Sequence, residues 1–366
     1  MRIAYVSLHW LRTLNSGVGK KIQSQISAWK DYGHEVKFFM HAAKRLDESA
    51  LVPGEIVYYT ESGKFVSELK RISAIYPLLD AVRAFHPDLI YIRYGMYVYP
   101  VHRLAEIAPL VEEITTNDLS QHGGLGVLYG LYNRITRGIL IRNTSGLVCL
   151  SNELAKAPFN VKYQKPTVVI GDGINMKNIQ PLAAPANEKP QIAFIGSPDS
   201  IWQGVDKLPA FARACPDVEI HIIGYSHLKP ETDIPKNLHL HGYLSTVDYK
   251  KVLANMDCAI GSLALHRIQL NESSPLKTRE CLALGLPMIL PYHDTDLHYL
   301  ESDFLLKIQN TENNIQTHAN IIRDFAYRMR GRRVDNTLIA HLNQEVKERE
   351  RLLFFEQVIN KSRKTA

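Results

Sequence analysis

Apolar residues in this chain occur mainly as short runs that are rich in valine and isoleucine and do not alternate with polar residues. Runs of this kind are typical of strands covered on both faces, as in parallel sheets. Most of them are followed by a helical pattern, and the alternation predicts doubly wound α/β domains. The predicted strands are Ile3–Leu8, Val36–Met40, Leu89–Ile92, Val111–Thr115, Gly146–Leu150, Val168–Gly171, Gln191–Gly196, Val218–Gly224, Leu238–Leu244, Cys258–Leu263, Pro287–Pro291 and Phe304–Ile308.

A proline-rich stretch divides these strands six and six. Residues 181–190 (PLAAPANEKP) carry three prolines and few bulky apolar side chains, which favours a linker. We therefore predict an α/β protein of two tandem Rossmann-like domains, 1–180 and 191–335, facing each other across a cleft. Residues 336–366 are predicted to form a charged helix that packs back on the first domain. Ligands of such sheets bind beyond the carboxyl ends of the strands.

Composition narrows the functional classes only a little. The 366 residues are 45% hydrophobic and 22% charged, which excludes a disordered chain, a collagen and a coiled coil as the main architecture. A net charge of +6 suits an anionic ligand, an anionic membrane or nucleic acid without choosing among them.

The four cysteines contain no C-x-x-C pair, which favours a reducing compartment. The longest apolar stretch, Cys281–Tyr292, is shorter than the roughly 20 residues of a membrane span, so we expect a cytoplasmic protein, soluble or peripheral at the inner leaflet.

A glycine-containing segment follows the first predicted strand. Residues 15–21 (NSGVGKK) match neither the Walker P-loop nor G-x-G-x-x-G. Gly17 lets a ligand approach the backbone at a helix N-terminus, but a strand-to-helix turn that merely needs glycine explains the segment equally well.

The segment 271–287 (NESSPLKTRECLALGLP) contains more chemical information. Ser274 is a natural N-cap, Pro275 suits the first helical position and Gly285 ends the helix. The amides of Leu276 and the following residue would then point out of a helix N-terminus. Lys277 and Arg279 stand in the first part of this helix, where acids are usual, and cations there favour a bound anion over side chains that simply reach into solvent.

Two glutamates bracket this helix start. Glu272 precedes the helix and Glu280 lies on its second turn. A carboxylate accepts two hydrogen bonds, as from the vicinal hydroxyls of a sugar. One acid can therefore hold a hexose and the other a ribose, on either side of a diphosphate.

With this E-x7-E pair, the sequence resembles the retaining glycosyltransferases of family 4, the "group 1" enzymes with the two-domain GT-B fold. The resemblance covers nearly the whole chain. Its other segments are Gly17–Gly19, Gly171–Asn175, Phe194–Ser197, Trp202–Gly204, Gly242–Tyr243 and Pro275–Pro287.

The resemblance implies transfer of a sugar, with retained anomeric configuration, from a nucleotide-diphosphate sugar to a glycan or lipid-linked acceptor in surface polysaccharide assembly. The donor would bind the C-terminal domain and the acceptor the N-terminal one, without a metal or other cofactor. Glu272 would be catalytic, holding the donor hexose near its reacting carbon. The donor site would further comprise Gly17, Gly196, Ser197, Gln203, Tyr225, Tyr243, Ser274, Pro275, Leu276 and Glu280, with Glu280 on the ribose and a tyrosine beside the base.

One departure from the family concerns charge. The family commonly has an arginine and a lysine that grip the diphosphate at the positions of Ser197 and Gln203. Lys277, as a catalytic residue, is the candidate replacement for one of them, and Arg279 is a second. If neither substitutes, the chain is a catalytically degenerate nucleotide-sugar-binding subunit. A nucleotide-sugar epimerase of the same fold is a further alternative.

The acceptor side is predicted to lie after the fourth strand. By the same resemblance, Asp118 or His122 would orient the acceptor hydroxyl, with Asp118 counted as catalytic and Asn117 and His122 as acceptor-binding. A polar turn without such a role is about as consistent with the sequence.

Two arginine-rich segments are candidate binding sites for a membrane or for nucleic acid. Arg134, Arg137 and Arg142 alternate with apolar residues, which fits either a basic helix in peripheral contact with an anionic membrane or a core-facing helix with a basic outer side. Five arginines between residues 323 and 333 lack an aromatic stacking platform, so nucleic acid is not expected as a partner.

Overall fold

The computed structural model describes residues 1–8, 17–42, 54–59, 64–93, 95–123, 126–177, 179–198, 200–228 and 233–365. The chain forms two compact units, Met1–Gly171 with Gln344–Ala366, and Asp172–Asn343. The division at Gly171 precedes the predicted end of the first domain at residue 180. The proline-rich stretch 181–190 belongs to the second unit, where the Leu182 amide donates to the Leu284 carbonyl at 2.9 Å.

The first unit contains a seven-stranded sheet in the order β3-β2-β1-β4-β5-β6-β7, and every neighbouring pair is parallel. Its strands are β1 Arg2–Ser7, β2 Glu35–Ala42, β3 Gly54–Tyr58, β4 Leu89–Arg93, β5 Leu110–Ile114, β6 Gly146–Cys149 and β7 Thr167–Val169. Its α-helices are α1 Gly17–Asp31, α2 Lys64–Ser73, α3 Ile75–Ala84, α4 Asp118–Gly123, α5 Val127–Asn143, α6 Asn152–Lys156, α7 Pro158–Val161 and the last helix of the chain, α12 Gln344–Thr365.

The second unit contains a six-stranded parallel sheet in the order β10-β9-β8-β11-β13-β15, and a separate parallel pair, β12-β14. Its strands are β8 Gln191–Ile195, β9 Glu219–Ile223, β10 Leu238–Leu240, β11 Cys258–Ile260, β12 Glu272–Ser273, β13 Met288–Leu290, β14 His293–Asp294 and β15 Leu305–Lys307. Its α-helices are α8 Leu208–Ala214, α9 Thr246–Ala254, α10 Leu276–Ala283 and α11 Asn314–Met329.

All twelve predicted strands are confirmed, with ends shifted by a few residues. The sequence pattern missed β3, an edge strand whose residues remain partly exposed and therefore do not form a buried apolar run. It also missed the two-residue strands β12 and β14, which are too short to produce a pattern.

The C-terminal segment is divided between the units. Residues predicted as one long helix from 336 form a 3₁₀ helix, Asn336–Leu342, in the second unit, followed by α12 in the first. Phe355 of α12 packs edge-on against Trp29 of α1, with ring centroids 5.4 Å apart. The Trp29 indole N–H donates to Glu348 at 2.7 Å, so α12 contributes both apolar and polar contacts to this core.

A buried ionic cluster lies in the same core. The Glu113 carboxylate of β5 pairs with Lys21 and with Arg93, each at 3.0 Å, and Arg351 of α12 approaches it to 3.9 Å. Burial alone raises the pKa of Glu113, but these three cations outweigh it and lower the pKa to about 2. Lys21, in the segment that resembled an anion-binding loop, therefore compensates an internal charge.

The close approach of α12 to β6 is testable at Gly146. A Cβ atom on Gly146 would lie 2.8 Å from Phe354 Cζ and 3.1 Å from Val358 Cγ2. We expect Gly146→Ala to lower the free energy of unfolding by about 1–3 kcal/mol through overpacking, measured by urea titration. Gly17→Ala is the control, because a Cβ there meets no atom of the described residues within 4 Å. Equal stability of the two variants would contradict the packing described.

Among the described residues, none of the helices combines the length and the apolar character needed to cross a bilayer.

Candidate functional site

The segment with the two glutamates folds around the start of α10. The helix begins at Leu276 with Pro275 at the N-cap position, so the predicted cap at Ser274 is wrong by one residue. Gly285 follows the helix with a φ of +86°, a left-handed conformation that glycine adopts without strain, and the predicted helix end is confirmed. The amides of Leu276 and Lys277 precede the first intrahelical hydrogen bonds and form the positive end of the helix dipole.

Ser274 fixes the strand that leads into this helix. Its hydroxyl oxygen accepts a hydrogen bond from the Asp172 amide at 2.7 Å, and the side chain is buried. Ser274 therefore anchors the chain ahead of α10 and does not cap the helix.

Lys277 reaches from α10 to the carboxyl end of β8. Its Nζ donates to the Ile195 carbonyl at 2.9 Å and to Gln203 Oε1 at 2.6 Å. Nζ also lies 4.9 Å from the centre of the Phe194 ring. Two further hydrogen bonds fix the position of Gln203. Its main-chain carbonyl accepts from the Leu263 amide at 2.9 Å, and its side-chain Oε1 accepts from the Ser262 hydroxyl at 3.3 Å.

The surroundings of Lys277 alter its charge. Burial lowers the pKa of the ammonium group to about 7, because the charged form is poorly solvated among the strand ends. An amine with this pKa gains and loses its proton near neutral pH, and an anion beside it would favour the charged form.

Glu272 is positioned by the small β12-β14 pair. Glu272 is in register with His293, and Ser273 with Asp294. The Thr295 amide donates to the Ser273 carbonyl at 3.1 Å, which continues the pairing. A partly exposed carboxylate on this short strand precedes the helix, as predicted.

Glu280 occupies the second turn of α10. Its carboxylate accepts a hydrogen bond from the Tyr249 hydroxyl of α9 at 3.2 Å. Burial raises the pKa of Tyr249, so this tyrosine stays a hydrogen-bond donor to Glu280.

Arg279 does not serve as an anion site, contrary to the prediction. Its side chain has no exposed surface. The guanidinium pairs with Asp294 and, at 2.7 Å, with Asp296, and its Nε donates to the Asp172 carbonyl at 3.0 Å. Two internal carboxylates therefore use its charge. Asp294 itself lies in β14.

The ends of β8 and β9 approach each other closely. The Tyr225 hydroxyl donates to the Ser197 carbonyl at 2.6 Å, and a Cβ on Gly196 would lie 2.9 Å from the Tyr225 ring. Tyr225 is buried and packs at the strand end, which argues against its predicted place beside the base. Tyr243 is 80% exposed and stays a candidate for that contact.

The predicted acceptor residues of the first unit have internal roles where their side chains are described. Asp118 has no exposed surface and pairs with Arg137 at 2.8 Å, so a role in orienting an acceptor is not supported. Asn117 is largely buried, and its Oδ1 accepts from the Ser120 amide at 3.2 Å. The side chain of His122 lies outside the part of the chain that the structure describes. Gly17 is the first residue of α1, and residues 9–16 before it are outside the described ranges.

Sequence reasoning missed Tyr249 and Asp172 as supports of the site. Tyr249 lies in an ordinary helix with no motif around it, so no signal was available. The burial of Arg279 did have a signal: it lies two residues before the apolar run that begins at Cys281, and a buried arginine requires carboxylate partners.

The sequence matches no protein-family model and no curated protein. Solved structures are similar over nearly the full length. The lipopolysaccharide outer core galactosyltransferase WaaB is 12% identical, with 99% of this chain and 100% of that chain covered and a TM-score of 0.68. The sucrose-phosphate synthase of Thermosynechococcus elongatus is 13% identical, with 98% and 99% covered and a TM-score of 0.66.

The chain has the GT-B fold. This conclusion rests on the two parallel-sheet α/β units and on the two similar structures, in which at least 98% of each chain is covered. A third similar structure, an alpha-glucosyltransferase in complex with UDP and a 13-mer DNA, is 11% identical, with 97% of this chain and 100% of that chain covered and a TM-score of 0.64.

Proposed function

We propose that the chain is a retaining glycosyltransferase of the family 4 type. It transfers a hexose from a nucleotide-diphosphate sugar to a glycan or lipid-linked acceptor in surface polysaccharide assembly. The fold is that of glycosyltransferases, and one of the similar structures is a complex with UDP. Within the second unit, two carboxylates flank a helix start that also carries a cation.

The observation that carries the proposal is the contact of Lys277 with Gln203. The family's diphosphate-binding cations are replaced here by Ser197 and Gln203. The Lys277 ammonium lies 2.6 Å from the Gln203 side chain and 2.9 Å from the Ile195 carbonyl. It therefore supplies positive charge at the place where the family's cation is missing.

The remaining residues take roles that follow from this placement. The amides of Leu276 and Lys277 receive the diphosphate together with the ammonium, so no metal is needed to neutralise it. Glu280, steadied by Tyr249, binds the ribose, and Glu272 binds hydroxyls of the donor hexose near the reacting carbon. Gly196 lets the phosphates approach the backbone at the end of β8, and Tyr243 flanks the base.

The depressed pKa of Lys277 predicts a proton linked to donor binding. Free Lys277 is mainly neutral at pH 8, since its pKa is about 7. A bound diphosphate stabilises the ammonium, so binding at pH 8 takes up about one proton, and affinity falls as pH rises from about 6 to 8. Calorimetry in buffers of different ionisation enthalpy measures this uptake.

Lys277→Met is the matched variant for that experiment. It retains the length of the side chain and removes the amine, so proton uptake at pH 8 is expected to vanish and affinity below pH 7 to fall by about tenfold or more. Unchanged proton uptake in the variant would exclude Lys277 as the diphosphate-binding cation.

Donor turnover tests the reaction itself. Incubation with a panel of UDP- and GDP-sugars, followed by proton NMR at early times, reports nucleotide release and the anomeric configuration of the first product. We expect release from at least one donor, with the configuration of the donor retained. Binding without release would favour the degenerate subunit, and an isomerised nucleotide-sugar formed without an acceptor would favour the epimerase.

A further inference from the structure

Helix α5 exposes apolar side chains that the described residues of its own unit do not cover. Leu128 is 81% exposed and Ile135 is 66% exposed, and Val127, Leu131 and Tyr129 are also more than half exposed. Isolated exposed apolar residues are common on protein surfaces, but a contiguous set on one helix indicates a contact surface.

Leu128, Leu131 and Ile135 share a stripe with a cation. Leu128, Leu131, Ile135 and Arg142 are spaced so that an ideal helix of 100° per residue brings them within about 60° of each other around its axis. Arg134 is exposed along one edge of the stripe. We call Leu128, Leu131, Arg134, Ile135 and Arg142 the α5 face.

The opposite side of α5 anchors the helix in the first unit. Arg137 pairs with Asp118 at 2.8 Å, and Asn133 donates to the same carboxylate at 2.8 Å. Leu140 and Ile141 are buried. On the flank of the helix beside Leu128, the Tyr132 hydroxyl donates to the Tyr97 carbonyl at 2.9 Å. The α5 face therefore lies on the exposed side of a helix whose other side packs in the first unit.

The charged side chains of α5 are all basic. No aspartate or glutamate occurs in the sequence between Asp118 and Glu153. At the C-terminal end of α5, Arg142 lines a cleft of about 470 Å³ with Lys162, Tyr163 and Lys165. Glu68 of α2 acts electrostatically on Tyr132, and that carboxylate is paired with Arg71 at 3.4 Å.

We propose that the α5 face docks on the surface of an anionic lipid bilayer. The leucines and Ile135 enter the boundary between headgroups and acyl chains, and Arg134, Arg142 and Lys162 contact lipid phosphates. An apolar stripe with cations beside it is the pattern of interfacial helices. A second copy of the chain fits less well, because a symmetric contact of this face with itself would bring like charges together.

This docking requires no sugar transfer, so it stands or falls separately from the proposed function. If both hold, it brings the protein to the surface where a lipid-linked acceptor resides.

Tryptophan fluorescence tests the docking directly. We expect Leu131→Trp to shift its emission to the blue on addition of vesicles of phosphatidylcholine with about 30% phosphatidylglycerol, which have a negative surface potential. Leu353→Trp is the control, because Leu353 is similarly exposed on α12 of the same unit. No shift for Leu131→Trp, or equal shifts for both variants, would overturn the proposal.

Vesicle co-sedimentation separates the apolar and electrostatic contributions. Arg142→Ala should weaken partitioning about fivefold, the equivalent of roughly 1 kcal/mol per cation at the surface, while Lys30→Ala on α1 leaves it unchanged. Leu128→Ser combined with Leu131→Ser should weaken it at least about tenfold at an unchanged Tm. Vesicle binding that is unchanged in these variants would overturn the proposal. So would a wild-type dimer in analytical ultracentrifugation that becomes a monomer in Leu128→Ser, because the face would then be a contact between two copies of the chain.

Discussion

Replacing Glu272 with glutamine is expected to lower the rate of sugar transfer by about 10²–10³-fold, comparable to the loss of one preorganised group that acts on the transition state. The amide retains the size of the side chain and its place on β12, but it removes the negative charge beside the reacting carbon. Because Glu272 is partly exposed and not part of the core, the variant should retain the Tm of the wild type. Initial rates of nucleotide release with a donor identified from the panel measure the effect.

The control for this variant is Glu301→Gln, an exposed acid of the same unit that lies outside the proposed site. Its rate should equal that of the wild type. A Glu272→Gln rate within about threefold of the wild type, with the donor still bound, would contradict the catalytic role of Glu272.

The second large effect concerns stability. Arg279→Met is expected to lower the free energy of unfolding of the second unit by about 3–5 kcal/mol, because it leaves Asp294 and Asp296 without their buried counter-charge. In a unit of this size the Tm should fall by about 10 °C or more, as measured by differential scanning calorimetry.

Arg332→Met is the matched comparison. Arg332 pairs with Asp303 at 2.8 Å in the same unit, but both side chains are more than half exposed, and such pairs contribute about 0–1 kcal/mol. If the two variants lose the same stability, the buried position of Arg279 is wrong, and its charge would again be available to a ligand.

The sequence predicted the sheets well because buried parallel strands appear as uninterrupted apolar runs. Edge strand β3, Gly54–Tyr58, was missed although residues 56–59 (IVYY) form a short apolar run. As an edge strand it stays partly exposed, and it therefore differs from the buried strands on which the prediction was based. The boundary between the units was misplaced because the proline-rich stretch 181–190 is irregular in composition but is joined to the end of α10 by one backbone hydrogen bond, from the Leu182 amide to the carbonyl of Leu284, the C-cap residue.

The site was predictable only where the information is local. The spacing of Glu272 and Glu280, the helix start and the presence of Lys277 can all be obtained from one segment of the sequence. The burial of Arg279 depends on its pairing with Asp294 and Asp296, and the pairing of β12 with β14 brings these two carboxylates close to the helix. Asp118 was misread for the same reason, since its partner Arg137 comes from the next helix.

Ligand-dependent thermal stability tests the central claim, that the start of α10 with Lys277 binds a nucleoside diphosphate. With ligand at about 100 times its Kd, stabilisation of about 2.7 kcal/mol should raise the Tm by several degrees. We predict such a dose-dependent rise with UDP, GDP or one of their sugars. It should be lost in Lys277→Met and retained in Lys251→Met, which removes an exposed lysine of the same unit. No rise with any ligand of the panel, or an equal rise in both variants, would contradict the claim.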